Sequence, residues 1–462
     1  MKIAVIGAGK MGLPVACQFA WRGGEVIACD INERLVASIN AGEMPFDEPG
    51  VGEILAQAVA SGSLRATSDV AGTIPFVDAV IIIIPVMLNT ERKADLAAIE
   101  SVTRTIAAHM VPGQMFCYEA TLPVGTTRRR LQPILETSGY RAGVDFDLVF
   151  SPERVKSQLV LKHLSQVPKI VGGVNAASAK RAEAFYQIYL GAPVINVESL
   201  ENAEFSKLAG MVYRDVNIAL ANELAVYAEA VGLDFSSVSS AANTDGESAL
   251  LAPSIGVGGH CTPIYPYFVL QDALERGVSL PITAKSRAIN DSQARRLLDR
   301  ISDDGGEFEE QEVLILGLAF RPRVKEHTLS SAFLIRDEAT LRGATAFLHD
   351  PLYDFSEIRA RGFTPMNLDG ELPAIVVLNT GHPEYREIDF AQWRDRGVRI
   401  VVDGRNFWNP SEVQGAGLHY IAPGFATKKD ELASFDYARN ESAATTSLLD
   451  FEYPALARAA SS

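Results

Sequence analysis

The chain has 462 residues, of which 47% are hydrophobic and 21% are charged. This composition excludes a disordered chain and a disulfide mini-protein, and the length predicts two to four domains. With 42 basic and 57 acidic side chains, the formal charge of −15 argues against non-specific binding to nucleic acid or to an anionic membrane. A local basic pocket for a phosphorylated small molecule remains compatible with this charge.

The cysteines and the apolar stretches predict a cellular compartment. The four cysteines stand alone, without a C-x-x-C pair, which is typical of a reducing compartment. Residues 1–6 read as a strand that runs into a glycine motif, and the longest apolar stretch, about 79–88, is too short to span a bilayer. We expect a soluble, cytoplasmic protein that needs no metal ion.

Strand and helix patterns alternate over residues 1–200. Continuous apolar runs indicate strands that are buried on both faces of a parallel sheet. These predicted strands cover 2–7, 25–30, 79–85, about 115–120 and 146–153. The alternation predicts a doubly wound α/β domain over 1–200.

A long helix is predicted next, over 201–231, because apolar residues recur at helical spacing from Phe205 to Leu220. Further helical pattern continues to about residue 300 and is interrupted by a Gly- and Pro-rich segment at 252–267.

Strand–helix alternation resumes after an acidic, Gly-containing boundary at 303–311. Four further strands are predicted at 313–320, 344–351, 374–380 and 399–404. They indicate a second, smaller α/β domain over 303–425. Residues 426–462, rich in Ala, Ser, Asp and Glu, predict a flexible tail, with a docking role left open.

A glycine motif points to a dinucleotide. Gly7, Gly9 and Gly12 follow a strand and open a helix, and Asp30 ends the next strand. Glycines in this context permit a tight turn and let a pyrophosphate approach the N–H groups of a helix N-terminus. Asp30 can accept hydrogen bonds from ribose hydroxyls and would repel a 2′-phosphate, which favours NAD over NADP. The alternative is a turn with glycines that only serve packing.

A second glycine-rich loop, residues 256–261, ends in Cys261. A thiolate there is a strong nucleophile toward a carbonyl carbon, although an inert buried cysteine is the alternative. Glu153 follows a strand of the first domain and is a candidate general base, or simply a solvated carboxylate. Lys207, near the start of the long helix and predicted on a different face from its apolar stripe, can stabilise an oxyanion or remain solvated.

Eight motifs then occur in one order. They are the glycine motif with Asp30, residues 47–50 (DEPG), 119–127 (EATLPVGTT), 151–154 (SPER), Lys207–Leu208, 256–261 (GVGGHC), 317–322 (GLAFRP) and 401–406 (VVDGRN). In this order the chain resembles the UDP-glucose/GDP-mannose dehydrogenase family over about 1–425, and most closely its bacterial branch that acts on UDP-N-acetylhexosamines.

The resemblance implies an NAD-binding domain over 1–200, a central helical dimerisation region over 201–302 and a nucleotide-binding domain over 303–425. It implies a homodimer that oxidises the C6 alcohol of a nucleotide sugar twice, to a uronic acid used in polysaccharide biosynthesis.

The resemblance also implies roles for matched residues. Cys261 would attack the aldehyde and form a thiohemiacetal and then a thioester, Lys207 would stabilise the oxyanion, Thr121 would hold a water, and Glu153 would assist hydrolysis. Cofactor contacts would come from Gly7, Gly9, Lys10, Met11, Gly12, Asp30, Pro85 and Thr121. Substrate contacts would come from Glu153, Arg154, Lys207, Tyr265, Gly258, Phe320, Arg321 and Arg405.

Departures from the family pattern leave two alternatives open. Tyr265 stands where the family has Asp, Met211 where it has Asn, and Thr328 where it has a cofactor-contacting Arg, and residues 245–252 carry no basic side chain. One alternative is a repurposed dehydrogenase that takes a non-standard or non-nucleotide substrate or stops at the aldehyde. The other is a catalytically silent NAD-binding protein.

Tyr265 is the sharpest departure, since a tyrosine with an ordinary pKa of about 10 is a poor base. It could relay a proton only if a neighbour such as Lys207 acidified its phenol. We expect weak or absent turnover of UDP-glucose.

Overall fold

The computed structural model describes residues 1–304 and 306–426. The predicted tail over 426–462 therefore lies, except for Ala426, outside the described residues.

Fourteen β-strands occur within these ranges. They are β1 (Lys2–Ile6), β2 (Glu25–Cys29), β3 (Leu64–Thr67), β4 (Ala79–Ile82), β5 (Met115–Tyr118), β6 (Asp147–Phe150), β7 (Lys169–Gly173), β8 (Val194–Ser199), β9 (Glu312–Leu316), β10 (Thr345–His349), β11 (Thr364–Pro365), β12 (Ile375–Leu378), β13 (Ile400–Asp403) and β14 (His419–Ile421).

Seventeen α-helices connect or cover the strands in the same ranges. They are α1 (Gly12–Trp21), α2 (Glu33–Asn40), α3 (Val51–Ala60), α4 (Val70–Thr73), α5 (Ala97–His109), α6 (Gln132–Glu136), α7 (Val160–Gln166), α8 (Ala176–Tyr189), α9 (Leu200–Ala230), α10 (Phe235–Ala242), α11 (Tyr265–Glu275), α12 (Pro281–Asp291), α13 (Gln293–Asp303), α14 (Ser331–Leu341), α15 (Phe355–Ala360), α16 (Phe390–Asp395) and α17 (Pro410–Gly415). A π-helical turn, Thr127–Leu131, precedes α6, and short 3₁₀ turns occupy Ile74–Phe76 and Pro383–Glu387.

The first sheet has the strand order β3-β2-β1-β4-β5-β6-β7-β8. All neighbours are parallel except β6 and β7, which pair antiparallel. Alternate residues of β1 belong to different core clusters: Ile3 and Val5 pack on one face, and Ala4 and Ile6 on the other. Burial on both faces explains why this strand reads as an unbroken apolar run.

The second sheet repeats this plan with the order β11-β10-β9-β12-β13-β14, all parallel. Relative to its own first strand, the order matches that of the first six strands of the first sheet, which is the doubly wound arrangement. The predicted fold class, two Rossmann-like domains joined by a long helix and a helical region, is confirmed.

The long helix α9 follows the last strand of the first sheet directly. Ser199 caps it, since its Oγ accepts a hydrogen bond from the backbone N–H of Asn202 at 3.1 Å. The helix packs against α11 and α12, so it forms the spine of the region between the sheets. Buried residues such as Leu208 and Ala219 line one side, whereas Phe205 and Leu220 are half exposed.

No helix in the described ranges is both long and apolar enough to cross a membrane. The same residues contain no cluster of three or more His, Cys, Asp or Glu side chains that could hold a metal ion.

Candidate active site

The carboxyl edge of the first sheet begins with the glycine turn between β1 and α1. Gly7 has φ +95°, and a Cβ on it would lie 2.4 Å from the carbonyl oxygen of Ile83. A Cβ on Gly12 would lie 1.8 Å from the carbonyl oxygen of Gly7, whereas one on Gly9 would meet no atom within 4 Å. Gly7 and Gly12 therefore permit the tight turn, whereas Gly9 borders open space at the N-terminus of the helix, where a pyrophosphate fits.

Asp30 lies beside this turn at the end of β2. Its Oδ2 accepts a hydrogen bond from the N–H of Ala8 at 2.9 Å, and its Oδ1 accepts one from the N–H of Asn32 at 2.9 Å. These bonds fix the carboxylate while each oxygen keeps a lone pair for a ribose hydroxyl. The residues of this edge therefore fit an NAD molecule.

The other predicted cofactor residues surround the same turn. Met11 is partly buried at the start of α1, and Pro85 is exposed beyond the end of β4. Lys10 is exposed, and its Nζ lies 3.3 Å from the carbonyl oxygen of Lys325 in the second α/β domain. The glycine turn is thus tied to the loop that follows the first strand of the second sheet.

Cys261 and Tyr265 are brought together by the turn that starts α11. The N–H of Tyr265 donates to the carbonyl oxygen of Cys261 at 3.0 Å. The Tyr265 hydroxyl lies near the Cys261 thiol and near Thr121, which follows β5, since both residues influence its pKa. The structure therefore brings three residues into one cluster: the predicted nucleophile Cys261, Tyr265, which differs from the family pattern, and Thr121, which is predicted to hold a water.

Lys207 joins this cluster from α9. Its Nζ donates to the backbone carbonyl of Glu153 at 2.8 Å and lies 6.0 Å from the centre of the Tyr265 ring. Lys207 is 9% exposed, so it is a buried residue and not a solvated helix lysine. Burial lowers its pKa, and the nearby Cys261 and Glu153 oppose that shift.

The idea that Lys207 acidifies the phenol of Tyr265 is wrong in direction. Burial raises the pKa of Tyr265, and the neighbouring Cys261 raises it further, while the hydrogen bond with Thr121 opposes the shift. Tyr265 is thus a neutral phenol, which is a hydrogen-bond donor by its chemistry and not a base.

The carboxylate of Glu153 bonds to partners outside this cluster. Its Oε1 accepts from the N–H groups of Arg154 and Val155 at 2.7 and 3.0 Å, and its Oε2 accepts from Nζ of Lys169 at 3.0 Å. The guanidinium of Arg154 donates to the carbonyl oxygen of Pro168. The structure therefore brings the backbone of Glu153 to Lys207, whereas its carboxylate is paired with Lys169 and the Arg154 side chain with Pro168.

The Cys261 loop packs on the second α/β domain. A Cβ on Gly258 would lie 2.7 Å from Cβ of Phe320, so only glycine permits this approach. Arg321 donates to the carbonyl oxygen of Ser157 at 3.1 Å, and its buried Nε has no partner among the described residues. An unpartnered guanidinium nitrogen between two domains suits an anionic ligand group.

Arg405, from the second α/β domain, also contacts the Cys261 loop. It donates to the carbonyl oxygens of Asn379 at 2.6 Å and Gly256 at 3.0 Å, and to Oγ of Ser331 at 3.3 Å. Burial lowers its pKa to about 10. These contacts give Arg405 a role in positioning the Cys261 loop, and its contact with a nucleotide stays a prediction.

Sequence reasoning missed the residues that support the site from behind. Glu204 is fully buried on α9 and accepts hydrogen bonds from the N–H groups of Gly125 and Thr127 and from Oγ1 of Thr127, so it fixes the loop after Thr121. Lys169 pairs with both Glu153 and Glu119. Glu119 stands in a noted motif, but Lys169 and Glu204 lie in strand and helix patterns that carry no signal of their role.

A family search matches the chain over three consecutive regions. These are the NAD binding domain (1–190), the central domain (201–292) and the UDP binding domain (314–410) of the UDP-glucose/GDP-mannose dehydrogenase family.

Curated relatives match over most of their length. An NDP-N-acetyl-D-galactosaminuronic acid dehydrogenase of Ralstonia nicotianae is 30% identical, over 89% of this chain and 97% of that protein. A UDP-N-acetyl-D-mannosamine dehydrogenase of Pyrococcus horikoshii is 31% identical, over 88% of this chain and 96% of its own. The solved structure of a UDP-D-ManNAc dehydrogenase from Pyrococcus horikoshii superposes with a TM-score of 0.83 at 28% identity and covers 93% of this chain and all of that chain.

Proposed function

Because this chain belongs to the UDP-glucose/GDP-mannose dehydrogenase family and is an NAD-dependent oxidoreductase that acts on CH–OH donors, we propose that it oxidises the C6 alcohol of a nucleotide sugar to a carboxylate through a covalent bond to Cys261. The observation that carries the proposal is the cluster of Cys261, Lys207, Tyr265 and Thr121 at the sheet edge that holds the glycine turn.

The cofactor site is formed by the chain itself. The turn at Gly7, Gly9 and Gly12 takes the pyrophosphate, and Asp30 takes the ribose. When bound there, NAD would accept one hydride in each two-electron oxidation of the substrate.

The chemistry at Cys261 follows from its neighbours. After the alcohol is oxidised to an aldehyde, the thiolate bonds to the carbonyl carbon, and the thiohemiacetal oxygen carries the charge. The Lys207 ammonium and the neutral Tyr265 hydroxyl both donate toward this oxygen and stabilise it. A second hydride loss gives the thioester, which water hydrolyses to release the acid and the thiol.

The reacting sugar is proposed to be a UDP-linked N-acetylhexosamine or a relative of it. Support comes from the named substrates of the similar dehydrogenases and from the UDP binding domain. Arg321, whose buried Nε lacks a partner among the described residues, is the candidate contact for the diphosphate.

A second candidate is a substrate that is less polar or differently substituted at its reacting end. Tyr265 and the partly buried Met211 favour it, since both reduce the polar surface available to sugar hydroxyls. In this reading the chain keeps NAD and Cys261 but turns over the usual sugars weakly.

We also propose a homodimer. Helix α9 leaves Phe205 50%, Tyr213 63% and Leu220 43% exposed, along the stretch where the family resemblance implies a dimer contact. Large apolar side chains in such a row are stabilised when a second copy covers them.

A panel of UDP-, GDP-, CDP- and dTDP-sugars tests the proposed function through the NADH formed per sugar consumed. The proposal expects two NADH from a UDP-N-acetylhexosamine. One NADH with an accumulated aldehyde would support a reaction that stops early, and none, with binding detected as a thermal shift, would contradict catalysis.

A further inference from the structure

The DEPG motif at residues 47–50 has no role in the chemistry proposed for Cys261. It lies in the segment between α2 and α3 of the first α/β domain. Glu48 is only 6% exposed, although its neighbours Asp47 and Pro49 are exposed. Because a buried carboxylate needs hydrogen-bond partners, the partners of Glu48 indicate what the motif does.

Both oxygens of the Glu48 carboxylate accept hydrogen bonds from the backbone of a distant loop. Oε2 accepts from the N–H of Gln158 at 2.8 Å, and Oε1 accepts from the N–H of Val160 at 3.0 Å. The side chain of Gln158 bonds back to the motif, since its Nε2 donates to the carbonyl oxygen and to Oδ2 of Asp47, each at 3.0 Å. The motif therefore fixes the loop that joins residues 151–154 (SPER) to α7.

Gln158 has a backbone conformation that needs such fixing. Its φ is +68°, in the left-handed region, which is unfavourable for a residue with a side chain. A conformation of this kind persists where surrounding contacts hold it. The hydrogen bonds to Asp47 and Glu48 supply those contacts on both the backbone and the side chain of Gln158.

One peptide group connects the motif to the second α/β domain. The N–H of the Ser157–Gln158 peptide donates to Glu48, and the C=O of the same peptide accepts from Nη2 of Arg321 at 3.1 Å. In a trans peptide these two groups point in opposite directions. The peptide therefore stands between a carboxylate and a guanidinium, and each of the two charge-assisted hydrogen bonds strengthens the other.

Arg321 lies beside the Cys261 loop. The preceding residue, Phe320, packs on that loop so closely that a Cβ on Gly258 would lie 2.7 Å from its own Cβ. With Nη2 of Arg321 bonded to Ser157, the buried Nε has no partner among the described residues. Because the guanidinium is planar and rigid, the bond to Ser157 also sets the direction in which the Nε edge faces.

We propose that Glu48 is a positioning residue that orients Arg321, through the Ser157–Gln158 peptide, for the diphosphate of the nucleotide sugar. The inference rests on the proposed function, in which Arg321 is the candidate diphosphate contact. A guanidinium binds phosphate oxygens well only when its donors face them. A motif of the first α/β domain thereby contributes to the affinity for a ligand group that a side chain of the second domain contacts.

A purely structural role for Glu48 is the alternative. Its bond to Val160 also satisfies the first N–H of α7, so loss of the carboxylate would loosen the whole loop. A general loosening weakens every ligand at this sheet edge, NAD included. The proposed role instead predicts a loss that is confined to a nucleotide whose diphosphate meets Arg321.

The test measures the dissociation constants of UDP, uridine and NAD for the full-length protein by titration calorimetry. UDP carries the diphosphate and uridine lacks it, so the two together report the contact with Arg321. Glu48→Gln has nearly the same shape but keeps one acceptor oxygen for two N–H groups. It should weaken UDP binding by about tenfold and change uridine and NAD binding by less than about twofold.

A double-mutant cycle shows whether the effect passes through Arg321. Arg321→Met should weaken UDP binding by itself, and the addition of Glu48→Gln should then cause no further loss. Glu43→Gln, which changes an exposed carboxylate of the same segment, should leave all three affinities unchanged. In turnover, Glu48→Gln should raise the KM of the sugar by more than it lowers kcat.

Several results would overturn the role of Glu48. These are an unchanged UDP affinity in Glu48→Gln, an equal loss of NAD affinity, additive losses in the double variant, or a wild type that binds no UDP. If the wild type binds UDP but oxidises none of the sugars, it is the proposed function that fails. The UDP affinities of the variants then still decide the role of Glu48.

Discussion

At the scale of single residues, chemistry-bearing side chains were predictable where they stood in glycine-rich or strand-end motifs. Cys261, Asp30 and Thr121 were selected as candidates in this way. Lys169 and Glu204 were not, since a lysine in a strand and a glutamate in a helix are ordinary surface residues until the fold buries them. The burial of Tyr265, which raises the pKa of its phenol above the ordinary value, likewise had no signal in the sequence.

Asp30 should set the cofactor preference. We expect the wild type to bind NAD at least about tenfold more tightly than NADP, because a 2′-phosphate would face this carboxylate. Asp30→Ser should reduce the difference in affinity between NAD and NADP. Glu33→Gln, on the next helix, should leave this difference unchanged. Dissociation constants for both cofactors at equal salt provide the measurement. Equal affinities in the wild type would refute the role assigned to Asp30.

Tyr265 should act as a hydrogen-bond donor. Tyr265→Phe should lower turnover of the true substrate by about tenfold or more, without a shift of the pH profile, since a neutral phenol is lost and not a base. Tyr267→Phe is the matched control, because that hydroxyl bonds Arg92 and Asp291 instead.

The same position should decide between sugars. Wild-type turnover of UDP-glucose should be weak, and Tyr265→Asp should raise it relative to the wild type. Fast wild-type turnover of UDP-glucose that Tyr265→Phe does not change would show that this position does not alter the chemistry.

At the scale of elements, strands with unbroken apolar runs and the long helix were predicted close to their observed bounds. The predicted helix over 201–231 is Leu200–Ala230. Strands β3, β7, β8, β11 and β14 were missed. Exposed residues interrupt the apolar run in β3 and β8, β7 ends in two glycines, which favour strands poorly, and β11 and β14 have only two and three residues. Their pairing is decided by neighbours in the sheet and not by local sequence.

Glu204 links two elements, α9 and the loop that carries Thr121, and it should make stability depend on pH. Burial raises its pKa from 4.5 to about 7. Between these values the folded chain holds a proton that the unfolded chain has lost, so the free energy of unfolding falls as pH rises through this window and levels off above it.

Glu204→Gln should flatten this dependence by about 3 kcal/mol at most. Denaturant unfolding at several pH values provides the measurement. Glu201→Gln is the control on the same helix, because the pKa of the Glu201 carboxyl is lowered and not raised. Identical slopes for wild type and Glu204→Gln would contradict the assignment.

At the scale of the whole molecule, two sheets of the same plan meet at the Cys261 loop. Lys10 contacts Lys325, Arg321 contacts Ser157, and Arg405 contacts Gly256, so hydrogen bonds cross between the regions at the site. The doubly wound order was predictable from alternation, but these cross-contacts depend on how the domains pack and had no signal in the sequence.

Assembly should depend on the exposed row of α9. We expect a light-scattering mass of twice the chain mass of 49.9 kDa at micromolar concentration. Leu220→Lys should shift the protein toward the monomer, because a charge would be buried in the contact. Leu341→Lys, which changes an 82% exposed leucine of α14, should not. A wild-type monomer across this range would rule out the dimer.

The central claim is that Cys261 carries the intermediate between the two oxidations, and the NADH formed per sugar consumed by wild type and Cys261→Ser tests it most directly. The wild type should form two NADH and one acid per sugar. Cys261→Ser should bind the sugar, form at most one NADH and release no acid, since a serine hydroxyl is a far weaker nucleophile than a thiolate. Two NADH and a full yield of acid from Cys261→Ser would contradict the account.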